Sequence, residues 1–202
     1  KLLNKLEKRE IQPSYLINNA GVLMLDSMKD VTLKKMDVMY RVNAFGPMLL
    51  SKYCMEYIWK NNHGAILFNT PPYNIDEKTT FLMPYMQTKL AQTTFMRSLA
   101  NTRTGTDILV AGFWTNYPLM TDAIIARGIG TKEECMHPSI LARTVDELLF
   151  NTIYYEDLTH YNGEVVIDEL FLKNQKINTE KYKMGENVPN LDIMFMKHLK
   201  SQ

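Results

Sequence analysis

Four short apolar runs, spaced along the chain by helix-length stretches, constrain the fold more than any other feature: SYLIN (14–18), GAILFN (64–69), DILVAGF (107–113) and GEVVID (163–168). Each is too short for a buried helix and is bounded by Asn, Asp, Gly or Pro, so each predicts a strand. Pro71 and Pro72 stop the second run, because proline cannot donate to a sheet ladder. Between the runs, residues 33–60 predict two helices separated near Gly46 and Pro47, and 85–101 and 138–155 predict two more. KLLNKLEKRE at the start reads as the end of an amphipathic helix, and RGIGT (127–131) as a loop between helical segments. Strands joined through helices run parallel, and a parallel sheet is covered on both faces. The expected architecture is therefore an open, doubly wound α/β sheet over residues 1–172, with a polar tail over 173–202 that wraps back across it.

Composition narrows the function classes. A net charge of +1 with scattered Lys and Arg gives no basic stripe for nucleic acid. Cys54 and Cys135 lie far apart without CxxC spacing, and His63, His137, His160 and His198 are isolated, so neither a disulfide framework nor a metal site is expected. The longest apolar run, ILVAGFW at 108–114, is far short of the roughly 18 residues that span a bilayer.

A sheet of this kind binds ligands beyond the carboxyl ends of its strands, which directs attention to Asn18–Gly21, Thr70–Tyr73 and Trp114–Thr121. Next to them stands PYMQTKL (84–90), in which Tyr85 and Lys89 lie within about 40° of each other on a helix, on the side that carries Thr88, Gln92 and Met96. An ammonium beside a phenol favours the phenolate and draws its pKa down toward the range of acid/base work. Of 11 tyrosines, Tyr85 alone has Lys four residues on. One such pair is expected by chance in a chain this rich in both residues, so the motif carries little weight by itself.

Order adds what the pair lacks. INNAGV (17–22) follows a strand, YRVNAFG (40–46) lies in a helical segment, GAILFNT (64–70) is the next strand, and Tyr85–Lys89 follows. This series resembles the short-chain dehydrogenase/reductase family over about residues 14–190. Within the family the chain is similar to the hydroxysteroid dehydrogenase-like members, through TPP at 70–72, Trp114 followed by Thr121, and VIDE at 166–169. The resemblance implies the C-terminal part of a Rossmann-like doubly wound parallel sheet and NAD- or NADP-linked hydride transfer on a carbonyl or alcohol of an apolar substrate. It implies Tyr85 as general acid/base, Lys89 as the residue that lowers its pKa and contacts the nicotinamide ribose, Asn43 as a proton-relay asparagine, and Thr70 as a doubtful substrate-polarising hydroxyl. Asn18, Ala20 and Gly21 would lie beside the cofactor, and Thr121 would contact the nicotinamide amide or the phosphates. It also implies self-association through helices near 42–60 and 85–101, and a mitochondrial or peroxisomal location.

Two departures qualify the resemblance. The usual serine position falls on Pro71, and a one-residue offset turns Thr70 to the opposite face of its strand unless the backbone bends. No glycine-rich dinucleotide fingerprint occurs in the sequence, although such a turn is what lets a backbone approach a pyrophosphate. The expectation is that SYLIN would leave a bare sheet edge, so that the chain is the C-terminal piece of a longer one, or a second polypeptide completes the sheet, or the domain is remodelled inside an assembly. Two functions stay open on this reading: the oxidoreductase, and a degenerate, non-catalytic member kept as a structural subunit.

Overall fold

A computed structural model of the chain describes residues 2–73, 83–102, 107–152 and 160–191. After a first helix, α1 (Leu2–Lys8), four strands follow: β1 (Tyr15–Asn18), β2 (His63–Asn69), β3 (Asp107–Trp114) and β4 (Val165–Ile167). They form one parallel sheet in the order β1-β2-β3-β4, in register Ala65 against Leu109 and Phe113 against Val166. The parallel sheet and its covering helices bear out the expected α/β class.

Successive side chains of a strand point to opposite faces, and each face here has its own core. Ile66, Phe68, Ile108 and Val110 pack under Cys54, Ile58, Met96 and Leu99, which come from α3 (Gly46–Asn61) and α4 (Met83–Asn101). Ala65, Leu67, Leu109, Ala111 and Phe113 pack on the other side under Ile140 of α6 (Ser139–Glu147), Leu148, and Phe171 and Leu172 of α7 (Asp168–Asn174). Both faces being dry explains why these strands read as unbroken apolar runs.

The segment 33–61 differs from its expected shape. Helix α2 (Leu33–Tyr40), capped by the Thr32 hydroxyl accepting from the Lys35 N–H at 3.3 Å, passes through a π-helical turn (Arg41–Phe45) directly into α3. Pro47 does not separate two helices, because it occupies the first turn of α3, where its missing N–H costs no intrahelical bond. GEVVID yields a strand of only three residues, since Asp168 starts α7. The chain after 173 begins inside α7 and then lies on the domain: Thr179 and Tyr182 are buried, the Met184 N–H donates to the Cys135 carbonyl, and the Leu191 N–H donates to the Asn116 carbonyl at 3.0 Å. The end of the expected 138–155 helix and the tail beyond 191 lie outside the described residues. Gly128 caps α5 (Asp122–Arg127) at φ +59, within the loop expected at RGIGT. No helix among the described residues is long and apolar enough to cross a membrane.

Gly64 governs the start of β2. Its φ is +141, and a Cβ there would overlap the Ser14 carbonyl oxygen that accepts the Ala65 N–H at 3.1 Å. Gly64→Ala combines backbone strain with a backbone clash at the β1–β2 junction and is expected to destabilise the fold by about 2–4 kcal/mol. The midpoint of urea unfolding measures this.

Candidate active site

Beyond the carboxyl ends of β1, β2 and β3 lies a cleft of about 710 Å³, a size typical of small-molecule sites. Its polar wall is made by Asn19, Asn69, Tyr85, Lys89, Thr115 and Thr121, and its apolar wall by Phe113, Leu119, Ile124, Leu141, Val145 and Leu191. Helix α4 brings Tyr85 and Lys89 there together, one turn apart, as their spacing predicts. Ala20, Gly21 and Thr121 also line the cleft, whereas Asn18, Asn43 and Thr70 stand behind its wall.

Lys89 is 2% exposed, and its ammonium donates to the Asn69 carbonyl at 2.7 Å and lies 5.7 Å from the centre of the Trp114 ring. Burial lowers its pKa from the ordinary 10.5 to about 8, because the charged form loses its hydration with no carboxylate paired to it among the described residues. Tyr85 is half-buried on the cleft wall, packed with Ile124 and Ile129, and burial raises its pKa above the usual phenol value. The expected depression of that pKa by Lys89 is therefore not what this geometry produces. The ammonium is engaged with the Asn69 carbonyl, and loss of hydration outweighs its attraction for a phenolate. Such a phenol stays protonated and so is present as a donor throughout the neutral range, though as a weaker acid than free tyrosine, and it can take a proton only at higher pH.

Asn43 is fully buried in the π-helical turn, a geometry that often marks functional positions. Its Oδ1 accepts the Val22 N–H at 2.7 Å, and its Nδ2 donates to the Val22 carbonyl and the Thr88 hydroxyl, each at 2.9 Å. Both N–H bonds are thus engaged, and the side chain pins the segment after β1 to α4. Asn18 holds the same junction: 4% exposed, its Nδ2 donates to Ser51 at 3.4 Å. Gly21 lies against the same groups: a Cβ there would stand in ordinary contact, 3.4 Å from Lys89 Nζ and 3.5 Å from Asn43 Oδ1. With Ala20 and Gly21 lining the cleft beside the Lys89 ammonium, the residues present fit the nicotinamide end of a dinucleotide.

Thr70 requires correction. It is fully buried, and its hydroxyl donates to the Lys89 carbonyl at 2.8 Å and lies 2.7 Å from the Thr93 hydroxyl. The backbone does not bend to undo the strand alternation, so this hydroxyl braces α4 against β2 and does not reach the cleft. Thr70→Val should therefore cost about 1 kcal/mol of stability by removing the hydrogen bond to the Lys89 carbonyl, since the Thr93 hydroxyl keeps the Pro71 carbonyl at 2.8 Å, while leaving ligand affinity in the cleft unchanged. Paired urea unfolding and ligand titration separate the two effects. Asn69 and Leu191, both on the cleft wall, fall outside the segments the sequence points to. Counting back two positions from Pro71, along one strand face, would have found Asn69.

The curated relatives include hydroxysteroid dehydrogenase-like protein 2 of Xenopus laevis, 28% identical over 184 residues covering 90% of this chain and 42% of that protein. The same-named human protein is 28% identical over 178 residues, covering 86% of this chain and 41% of that protein. The chain thus spans about two-fifths of the length of these relatives. Among solved structures, a Mycobacterium thermoresistibile short-chain dehydrogenase superposes with a TM-score of 0.77 at 20% identity, covering 93% of this chain and 68% of that one. A 4-hydroxyisoleucine dehydrogenase complexed with NADH superposes at 0.63 with 15% identity, covering 82% and 71%. These likenesses show the fold. The short chain dehydrogenase family model matches residues 1–126, more than half of the sequence, and with the parallel sheet and the Tyr85–Lys89 wall in place the chain belongs to that family.

Proposed function

We propose that the chain carries the nicotinamide end and the proton-transfer group of an NAD- or NADP-linked oxidoreductase acting on a carbonyl or alcohol of an apolar substrate. The observation that carries this reading is the placement of Tyr85 and Lys89 opposite Leu119, Leu141, Val145 and Leu191 in one cleft. Bound NAD(P)H would supply the hydride. In this reading Lys89 and Gly21 receive the ribose and nicotinamide, Ala20 and Thr121 flank them, and Asn18 supports the turn from behind. Tyr85 holds the proton that the substrate oxygen gains. Asn43 keeps the Val22 segment in register with α4 and, by family analogy, holds a relay water.

The alternative, a non-catalytic structural subunit, is favoured by the inward Thr70 and by Pro71 at the serine position. Two surfaces supply it with docking sites. The outer edge of β1 has no strand beside it among the described residues, with Ile17 43% exposed, which suits a second polypeptide completing the sheet. Phe45, Leu49 and Tyr53 form an exposed apolar row at the start of α3, which suits self-association.

Fluorescence titration of the full-length protein with NADH and NADPH separates the two functions. Saturable binding that Lys89→Ala removes supports the oxidoreductase, and no saturable binding at millimolar cofactor leaves the structural subunit.

A further inference from the structure

The inward turn of Thr70 and the proline at 71 leave the proposed site without the hydroxyl that would steady a substrate carbonyl. The same alternation that removes Thr70 identifies what replaces it. Side chains two apart on a strand share a face, so the polar residue on the face of Pro71 is Asn69, the last residue of β2 and the register partner of Phe113. Asn69 is half-buried and lines the cleft together with Tyr85 and Lys89. Its carbonyl accepts the Lys89 ammonium at 2.7 Å, which ties it to the base of the catalytic wall. Its Nδ2 donates to Asn19 Oδ1 at 2.9 Å, which fixes the amide plane and uses one of its two N–H bonds. Two other donors on this wall are already engaged. The Thr115 hydroxyl donates to the Tyr117 carbonyl at 2.6 Å, and the Lys89 ammonium is engaged with Asn69.

We propose that the second N–H of the Asn69 carboxamide holds the carbonyl oxygen of an apolar ketone or aldehyde beside Tyr85. This rests on the reading of the cleft as a carbonyl site and adds the group that receives the oxygen. Asn69 forms and breaks no covalent bond. It donates a hydrogen bond that strengthens as negative charge grows on the oxygen, in the manner of an oxyanion hole. A carboxamide is neutral at every working pH, so this hold is independent of the titration of Lys89.

The test uses the full-length protein and 2-decanone labelled with ¹³C at the carbonyl, observed by isotope-edited infrared difference spectroscopy. In the Tyr85→Phe background the bound ketone is expected to keep a carbonyl band below its position in hexane. Asn69→Leu and Asn69→Asp, neither of which can donate, should return the band to the hexane position, and Asn69→Ser should retain part of the shift. Two substitutions of different character keep the test open if one of them fails to fold. With Tyr85 intact, Asn69→Leu should lower kcat about 10²–10³-fold with the KM for NADH unchanged. An unshifted band in the parent, or a shift that survives in both non-donating variants, overturns the assignment of Asn69. A ketone band that responds to Asn69 in a protein that binds neither NADH nor NADPH upholds Asn69 and overturns the oxidoreductase.

Discussion

Tyr85→Phe is expected to lower the rate of ketone reduction by the full-length protein about 10²–10⁴-fold while leaving NADH affinity close to the parent value. The substitution keeps the ring that packs with Ile124 and Ile129 and removes only the hydroxyl proposed to give the substrate oxygen its proton. The pH profile carries the sharper information. Burial raises the Tyr85 pKa above its usual value near 10, so the phenol stays protonated across the neutral range. Reduction, which needs the phenol, should be insensitive to Tyr85 titration from pH 6 to about 10. Oxidation, which needs the phenolate, should rise through that whole window without a plateau. Steady-state rates with 2-decanone and 2-decanol measure both limbs. An oxidation limb that levels off near pH 7 would mean that Lys89 leaves the Asn69 carbonyl when ligand binds and lowers the phenol after all. A Tyr85→Phe variant within tenfold of the parent would move proton transfer to another group.

The same tension between burial and charge marks the limit of what residue patterns can convey. Strands β2 and β3 were legible because a parallel strand buried on both faces has no polar positions to interrupt it, and Ile108 to Phe113 contain none. The Tyr85–Lys89 wall was legible because helical spacing alone places the two residues together. Its electrostatics were not, since the pKa of Lys89 depends on 2% exposure and on a carbonyl 20 residues away in sequence. The π-helical turn at Arg41–Phe45 is equally a tertiary effect: the Asn43 carboxamide grips both backbone groups of Val22, and no local propensity encodes that. At the end of β4, Asp168 was read as strand. Its carboxylate accepts the Asn116 N–H at 3.0 Å and the Glu169 N–H at 2.7 Å, which turns the chain into α7 at once. Asn69 stands between these cases, since the alternation rule that disqualifies Thr70 also points to it.

Lys89→Met should make the apo protein more stable at neutral pH even as it removes nicotinamide binding. Burying the ammonium lowers its pKa from 10.5 to about 8, and at about 1.4 kcal/mol per tenfold change in proton affinity this represents a cost of about 3 kcal/mol to the folded state. Methionine retains the apolar stem and omits the charge. It also leaves the Asn69 carbonyl without its donor, which returns about 1 kcal/mol, so the net gain at pH 7 is about 2 kcal/mol. The sign of the pH dependence follows from linkage. Between pH 8 and 10.5 the unfolded chain binds the Lys89 proton and the folded chain has released it, so parent stability from this group rises with pH in that window. Below pH 8 the penalty is fully present, and above 10.5 it is gone. The advantage of Lys89→Met should therefore be constant from pH 6 to 8, shrink above 8, and reverse to a deficit of about 1 kcal/mol near 10.5, where only the lost hydrogen bond is left. Guanidinium unfolding of parent and variant across this range tests it. A variant less stable at pH 7 would mean that the Asn69 and Trp114 contacts repay the lost hydration in full, and that Lys89 is held as a structural group. A variant more stable at pH 7 but unable to bind NADH would show a residue kept for binding against the interest of the fold.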